Sequence, residues 1–361
     1  MSFLTQRDHN RRSDSEGRIL PPRGVTIRRG TAEDELNSFD VMRRTMSADM
    51  SWSAHSAMRH HLRNSPNASF WLAEETPRFG SPRLVGYARA IVRDAVWSLT
   101  EFLVVPSQHR QGVGGSLLSH CLVDGDHAGA DTRMVLASHH PDADSLYIRK
   151  ANCYPRLPMM LLSGSSTSLR APDPQARPIR DDQATGFYGN RPGTVADLTD
   201  VCASPIILTE TILEEFNALD REIVGYARPT EHRFWAEQMG GDRGAARLFR
   251  RRTGGLERIV GYSYIGPVSS GPTLAYDTED LPRFFFHVSG LARQLNRSGF
   301  DLTGGFIQQA DQYCAVAGTN EIMLNWLLSS GWQIVFQYLF MSSRPLGKME
   351  RYVCHNPLYV L

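Results

Sequence analysis

The chain has almost no lysine: of its 39 basic residues only Lys150 and Lys348 are lysine, and the rest are arginine. That skew reads as genome base composition rather than chemistry. Charge of one sign is not in excess either, with 39 basic against 38 acidic residues and a net charge of +1. The balance argues against a protein that coats nucleic acid and against an acidic disordered chain. No apolar run approaches the roughly 18–20 residues of a membrane-spanning helix. The amino terminus, MSFLTQRDHNRRSDSEGR, lacks the apolar stretch of a secretory signal, so residues 1–23 are expected to be a disordered polar tail. The five cysteines are odd in number and never form C-x-x-C. They are expected as free thiols in a reducing cytoplasm. His60-His61 and His139-His140 have no ligand partner at metal spacing, so no metal is expected.

What is present is length and periodicity. With 361 residues, 41% of them hydrophobic, the chain can build two domains. Residues 25–29 alternate like a strand, and Thr31 then stands as an N-cap before a helix over 32–46. Strands are expected at 69–75, 83–92 and 98–105, and again at 133–138 and 158–162. Helices are expected at 112–124 and 143–150. Between 165 and 203 the composition turns to Ser, Pro, Asp, Arg and Gly, a linker. From 205 the order of elements repeats: PIILT as a strand, two helices, then strands at 246–251 and 258–265. RIVGYSYI at 258–265 echoes RLVGYARA at 83–90, an offset of 175. One fold written twice accounts for both the echo and the order.

The stretch that carries chemistry is VVPSQHRQGVGGSLL, residues 104–118. A strand ends at a proline, a polar glycine-rich turn follows, and an amphipathic helix begins. Backbone N–H groups left unpaired at a helix start, reinforced by the helix dipole, form a cradle for a pyrophosphate. It is not a P-loop, since no Lys-Ser/Thr follows the glycines, nor a dinucleotide fingerprint, since the third glycine is missing. The second half has no such turn: after Gly266-Pro267 it reads VSSGPTLAYDTEDLPRF.

Val104, Pro106, Gly112 and Gly114 resemble the V-x-P then Arg/Gln-x-x-Gly-x-Gly motif of the GCN5-related N-acetyltransferase (GNAT) superfamily, with His109 at the Arg/Gln position. The family's later Asn-x-x-Ala-x-x-Leu-Tyr is matched by His140, Ala143, Leu146 and Tyr147, with His in place of Asn; Gly86 also falls at a family position. The Gly-Phe that should follow the tyrosine is absent, and Asn152 stands ready to take its left-handed turn. The resemblance spans about 24–164. It implies an α/β (α+β) protein of two tandem GNAT folds, each a mixed, mostly antiparallel twisted sheet flanked by helices. The catalytic domain would be 24–164, followed by a linker over 165–203 and a degenerate domain over 204–361.

By the same resemblance, acetyl-CoA is the co-substrate and a small-molecule primary amine attacks its thioester directly. Backbone groups of Val104 and Val105 would hold the pantetheine. N–H groups of Gln111, Gly112, Val113, Gly114, Gly115 and Ser116 would hold the pyrophosphate, and His109, Arg110 and His140 would also contact the cofactor. The reaction needs a base for the ammonium and an acid for the departing thiolate. Tyr147 is the candidate acid and Glu101 the candidate carboxylate on the incoming strand. Two other readings accompany this one: a non-catalytic acyl-CoA-binding or sensing protein, and a tRNA-dependent aminoacyl transferase. The near-zero net charge disfavours the latter. The expected partners are the amine alone, with no nucleic acid and no membrane, for a monomer or homodimer.

Overall fold

The computed structural model describes residues 13–46, 52–138, 140–173, 179–181, 201–239, 245–253, 256–265, 270–296 and 312–354. These fall into two compact units that are not contiguous in sequence. The first gathers residues 1–135, 140–154 and 341–344, and the second 136–139, 155–340 and 345–361.

In the first unit the order is β1 (Val25–Arg29), α1 (Asp34–Met46), α2 (Trp52–Asn64), β2 (Ser69–Glu75), β3 (Arg83–Arg93), β4 (Val96–Val104), α3 (Val113–His127), β5 (Thr132–Ala137) and α4 (Pro141–Ala151). The first four strands pair antiparallel in sequence order, and β4 then pairs parallel with β5. Leu72, Ala88, Trp97, Leu117, Leu118 and Met134 are buried in this unit's core. Trp97 fixes α3 to β4 by donating its indole N–H to the Cys121 carbonyl at 2.9 Å. Residues 13–23, read above as part of a tail, are tied down instead. Ile19 is buried, its N–H donates to Ser119 Oγ at 2.8 Å, and its carbonyl accepts from Ser116 Oγ at 2.6 Å. Residues 1–12 of that tail lie outside the described residues.

The second unit contains β6 (Tyr154–Gly164) from Pro155 onward, a short β7 (Arg180–Asp181), β8 (Val201–Pro205), α5 (Glu210–Ile223), α6 (Pro229–Met239), β9 (Ala245–Thr253), β10 (Leu256–Ile265), β11 (Ser270–Ala275), α7 (Asp280–Asn296), β12 (Gln312–Ala317), α8 (Glu321–Ser329), most of β13 (Gln333–Ser342) and β14 (Tyr352–Cys354). Its strands run in the order β6, β12, β14, β11, β10, β9, β8, β7. Each unit therefore holds a piece of the other sequence copy. β6 pairs antiparallel with β12, while Ser343, just past β13, donates its N–H to the Arg133 carbonyl at 2.9 Å in the first unit.

The strand expected at PIILT lies earlier, at Val201–Pro205, inside the stretch read as linker. Its register with β9 ends at Pro205↔Arg247. Thr209 is committed to capping α5, its Oγ1 accepting from Ile212 N–H at 3.2 Å. Phe284 and Phe285 are core residues, as their apolar run indicates, with Phe284 stacked on Phe249 at 3.8 Å.

The duplication is visible in backbone detail. A Cβ on Gly86 would lie 2.8 Å from the Leu103 carbonyl oxygen, and one on Gly261 would lie 2.3 Å from that of Leu274. At both places the strand must pass close beneath a helix, against Leu117 of α3 or Phe284 of α7. The residue before each glycine accepts an equivalent hydrogen bond, Val85 from Val105 N–H at 2.9 Å and Val260 from Tyr276 N–H at 2.7 Å.

Candidate active site

The site begins with an irregularity in β4. Arg89 faces Glu101 and Ala90 faces Leu99, so Thr100 is an extra residue, a β-bulge. The parallel register with β5 runs from Val96↔Thr132 to Leu99↔Val135. Pairing on that side therefore stops, among the described residues, at the bulge. A bulge bends and twists its strand, so 100–104 diverge from β5 and expose an edge. Backbone groups alternate sides along a strand. Val105 N–H points to β3, which leaves the Val104 groups facing the opening.

The chain then makes a short helical turn over Pro106–Gln108 and enters α3 through Gly112, at φ 101° and ψ −4°. Only glycine takes this left-handed conformation readily. No side chain caps α3. Ser116 N–H is the first to close an intrahelical bond, to the Gly112 carbonyl at 3.1 Å. The N–H groups of Val113, Gly114 and Gly115 are the free donors of the first turn. A Cβ on Gly114 would sit 3.1 Å from Phe102 Cζ, so the bare glycine keeps the space between helix start and strand edge clear. Leu146 of α4 lines the same spot.

Around this cradle the expected residues fall into place unevenly. His109 donates through Nε2 to the Val104 carbonyl at 2.8 Å, and its ring lies 6.0 Å from that of His140, the N-cap position of α4. Arg110, itself left-handed at φ 60°, pairs with Asp142 in the first turn of α4 at 2.9 Å. That bond raises the pKa of the guanidinium and lowers that of the Asp142 carboxyl. Gln111 turns back onto the Ser107 carbonyl at 2.7 Å. Val113 is buried beneath the cradle, so its contribution is its backbone.

Two expectations are corrected. Val105 is committed on both sides, its N–H to Val85 and its carbonyl to Gln108 N–H, both at 2.9 Å, so it has no free N–H for a ligand. Ser116 is fully buried, with its hydroxyl on the Ile19 carbonyl and its N–H in the helix. The cradle ends at Gly115.

Tyr147 packs edge-on against Phe102 at 5.9 Å between ring centres and is almost wholly buried. Burial pushes its hydroxyl pKa well above the usual phenol value, with Asp144 and Cys153 adding to the effect. It stays protonated at neutral pH. The turn after α4 closes at Asn152, which takes φ 54° as its residue type allows.

Glu101 is neither solvated nor free. It faces α1 and α2, where Arg59 Nη1 reaches its Oε1 at 2.7 Å and Arg89 Nε its Oε2 at 2.8 Å. The same two guanidiniums hold Glu35 Oε2, at 3.1 and 2.7 Å. The sequence reading missed this four-membered cluster because its members come from four elements. The available signal was Tyr87 and Arg89, two apart on one strand and therefore on one face.

Among its described residues the second unit lacks the features of this site. Between the end of β11 and the start of α7 the connection is only residues 276–279, against 105–112 in the first copy. The matching helix turn reads Asp280-Leu281-Pro282, so one N–H is replaced by a proline. A carboxylate stands where an anion would bind, with Arg251 on Asp277 at 2.7 Å and on Asp280 at 2.5 Å. The split between β11 and β12 is filled by β14, antiparallel to both, with Val353↔Thr273 and Val353↔Val316. Trp326, near the place of Tyr147, donates its indole N–H to the Arg170 carbonyl at 3.0 Å.

Residues 39–151 match the family model for the acetyltransferase (GNAT) family. The chain carries a GNAT acetyltransferase domain. No curated protein matches the sequence. Among solved structures, a candidate acetyltransferase from Pyrococcus horikoshii shares 14% identity at a TM-score of 0.64, over 97% of this chain and 99% of that one. A tandem GNAT protein from the clavulanic acid biosynthesis pathway aligns at 12% identity and TM-score 0.51, over 89% and 99% of the two chains. A GCN5-related N-acetyltransferase from Sphaerobacter thermophilus aligns at 11% identity and TM-score 0.51, over 92% and 99%. At these identities the likeness is one of fold, and it extends over both copies. No described helix is long and apolar enough to cross a membrane, and among the described residues no three His, Cys, Asp or Glu side chains group as a metal would require.

Proposed function

We propose that the protein transfers an acetyl group from acetyl-CoA to a primary amine of a small molecule, at one active site in the first unit. The observation that carries this reading is a coincidence found in one copy and not the other. The open edge of β4 beyond its bulge meets the uncapped glycine start of α3. The free N–H groups of Val113, Gly114 and Gly115 suit a pyrophosphate, and the Val104 edge suits an extended amide-bearing arm, with His109 giving up its bond to the Val104 carbonyl.

The acceptor nitrogen, neutral after losing a proton to solvent, attacks the thioester carbonyl carbon. The amide C–N bond forms, the C–S bond breaks, the thiolate takes a proton, and the nitrogen releases its second proton to solvent, from which the proton donor is restored. Tyr147 is the residue to supply it, because a tyrosine hydroxyl is protonated at neutral pH and Phe102 fixes its ring beside the strand edge. Glu101 is not the base in this reading, since guanidiniums occupy both of its oxygens. Tyr147→Phe should lower turnover on the order of 10²-fold while leaving acetyl-CoA affinity unchanged. Thiol release with an amine panel measures the first, and calorimetry the second. Tight acetyl-CoA binding without turnover on any amine would replace this reading with that of an acyl-CoA-binding protein.

A further inference from the structure

The Glu35–Arg59–Arg89–Glu101 cluster has a counterpart in the second unit, and the two differ in one respect. In the second unit Asp220 accepts from Arg228 at 2.9 and 3.0 Å, from His232 at 3.1 Å and from the Tyr262 hydroxyl. The remaining Arg228 nitrogen reaches Tyr352 at 2.5 Å, and His232 Nδ1 meets Tyr264 at 3.0 Å. Every hydroxyl, ring nitrogen and carboxylate oxygen of that set is used. Tyr262 and Tyr264 stand where the first copy has Tyr87 and Arg89.

In the first copy the set is left open. Tyr87 is fully buried; its hydroxyl oxygen faces the Arg59 guanidinium, but no group accepts its proton, and Arg89, 2% exposed, has no partner at Nη1. An unpaired buried donor is costly, so natural structures leave few. Glu35 Oε1 is also unbonded, and its nearest cation is Arg63 at 3.6 Å. Arg63 is the most exposed member, with a quarter of its side chain accessible. Three guanidiniums, Arg59, Arg63 and Arg89, face two carboxylates, leaving one positive charge in surplus beside two unpaired donors. All of them lie on the α1–α2 side of β4, behind the bulge.

We infer that this cluster is the recognition site for the acceptor, and that the acceptor is an amine that also carries a carboxylate, an α-amino acid in the simplest case. The inference rests on the acetyl-transfer reading of the site. Its carboxylate takes the Tyr87 hydroxyl and Arg89 Nη1 as donors, and entry displaces Arg63 from Glu35. Tyr87 and Arg89 are then specificity residues, and the second copy, with its set closed, has no acceptor site.

The test pairs amino acids with the same amines lacking the carboxylate: alanine with ethylamine, phenylalanine with 2-phenylethylamine, lysine with cadaverine. With acetyl-CoA and the intact chain, kcat/KM should favour the amino acid on the order of 10²-fold or more. Tyr87→Phe should raise the acceptor KM about tenfold and leave the acetyl-CoA KM unchanged. Arg89→Lys should raise the acceptor KM more severely and also lower the melting temperature, because Arg89 holds Glu35 and Glu101 as well. Melting shifts with amino acid alone read the site without turnover. Amino acids that stabilise the wild type but not Tyr87→Phe, with no thiol released, support this inference and sink acetyl transfer. Equal rates within each pair, or an acceptor KM untouched by Tyr87→Phe, would overturn it and leave water as the partner of these groups.

Discussion

The two copies of the fold solve one geometric problem in opposite ways. Where β4 parts from β5, the first copy leaves Phe102–Val104 as a free edge. Where β11 parts from β12, the second inserts Tyr352–Cys354 as a strand between them. The helix that follows changes in step: glycines and free N–H groups in α3, Asp280 and Pro282 in α7. An edge left unpaired is a standing cost and invites pairing; in the proposed function the first copy keeps it open for acetyl-CoA, whereas the second fills the gap with its own chain.

The largest effect expected from disturbing this contrast is in the sealed copy. Arg228→Met leaves Asp220 buried without its guanidinium and should destabilise the protein by about 3–5 kcal/mol, read as a drop in denaturant midpoint. If the second unit serves only as scaffold, acetyl-CoA affinity of the folded fraction stays at the wild-type value. A loss of affinity would show that the plug supports the first site. Gly114→Asp writes the acidic start of α7 into α3. It should weaken acetyl-CoA on the order of 10²-fold by calorimetry, because it sets a carboxylate at the free N–H groups and crowds Phe102, 3.1 Å from a Cβ at this position. Unchanged affinity would remove the cradle from the account.

The smallest effect is in pH. His120, on α3 against Trp71, is buried and its pKa is lowered by desolvation. Below its unfolded value of about 6.5 the unfolded chain binds the proton more readily, so this contribution is complete above that pH and lost as pH falls. Asp220 is held low by Arg228 and His232 against the opposing cost of burial, so its contribution is present above the ordinary carboxyl range and lost only in strong acid. Hydrogen exchange at pH 7 and pH 5.5 should show α3 losing protection before α5 and α6. His120→Gln should flatten that difference.

Much of the fold was legible because its signals are local. The strand at 69–75 and the helix after Gly112 follow from alternation, glycine and apolar spacing, and the 258–265 echo exposed the duplication. PIILT was misread because a short apolar run does not reveal whether its backbone enters a ladder or leads to a cap. The cradle was also readable, since glycines at a helix start imply free N–H groups. Its limits were not: Val105 and Ser116 lie inside the motif, but their partners, Val85 and Ile19, do not.

The sequence by itself determined where the glycine-rich helix start lies, that the second copy has no such turn, and the left-handed turns at Gly112 and Asn152. Each is a property of one residue type in one backbone state. Tertiary structure alone decided that Glu101 is clamped by Arg59 and Arg89, that β14 closes the second split, and that Tyr87 and Arg89 keep unpaired donors in the copy with the cradle. Those outcomes depend on which side chains from distant segments share a buried volume, and charge pairing there follows distance in space, which composition and spacing do not encode.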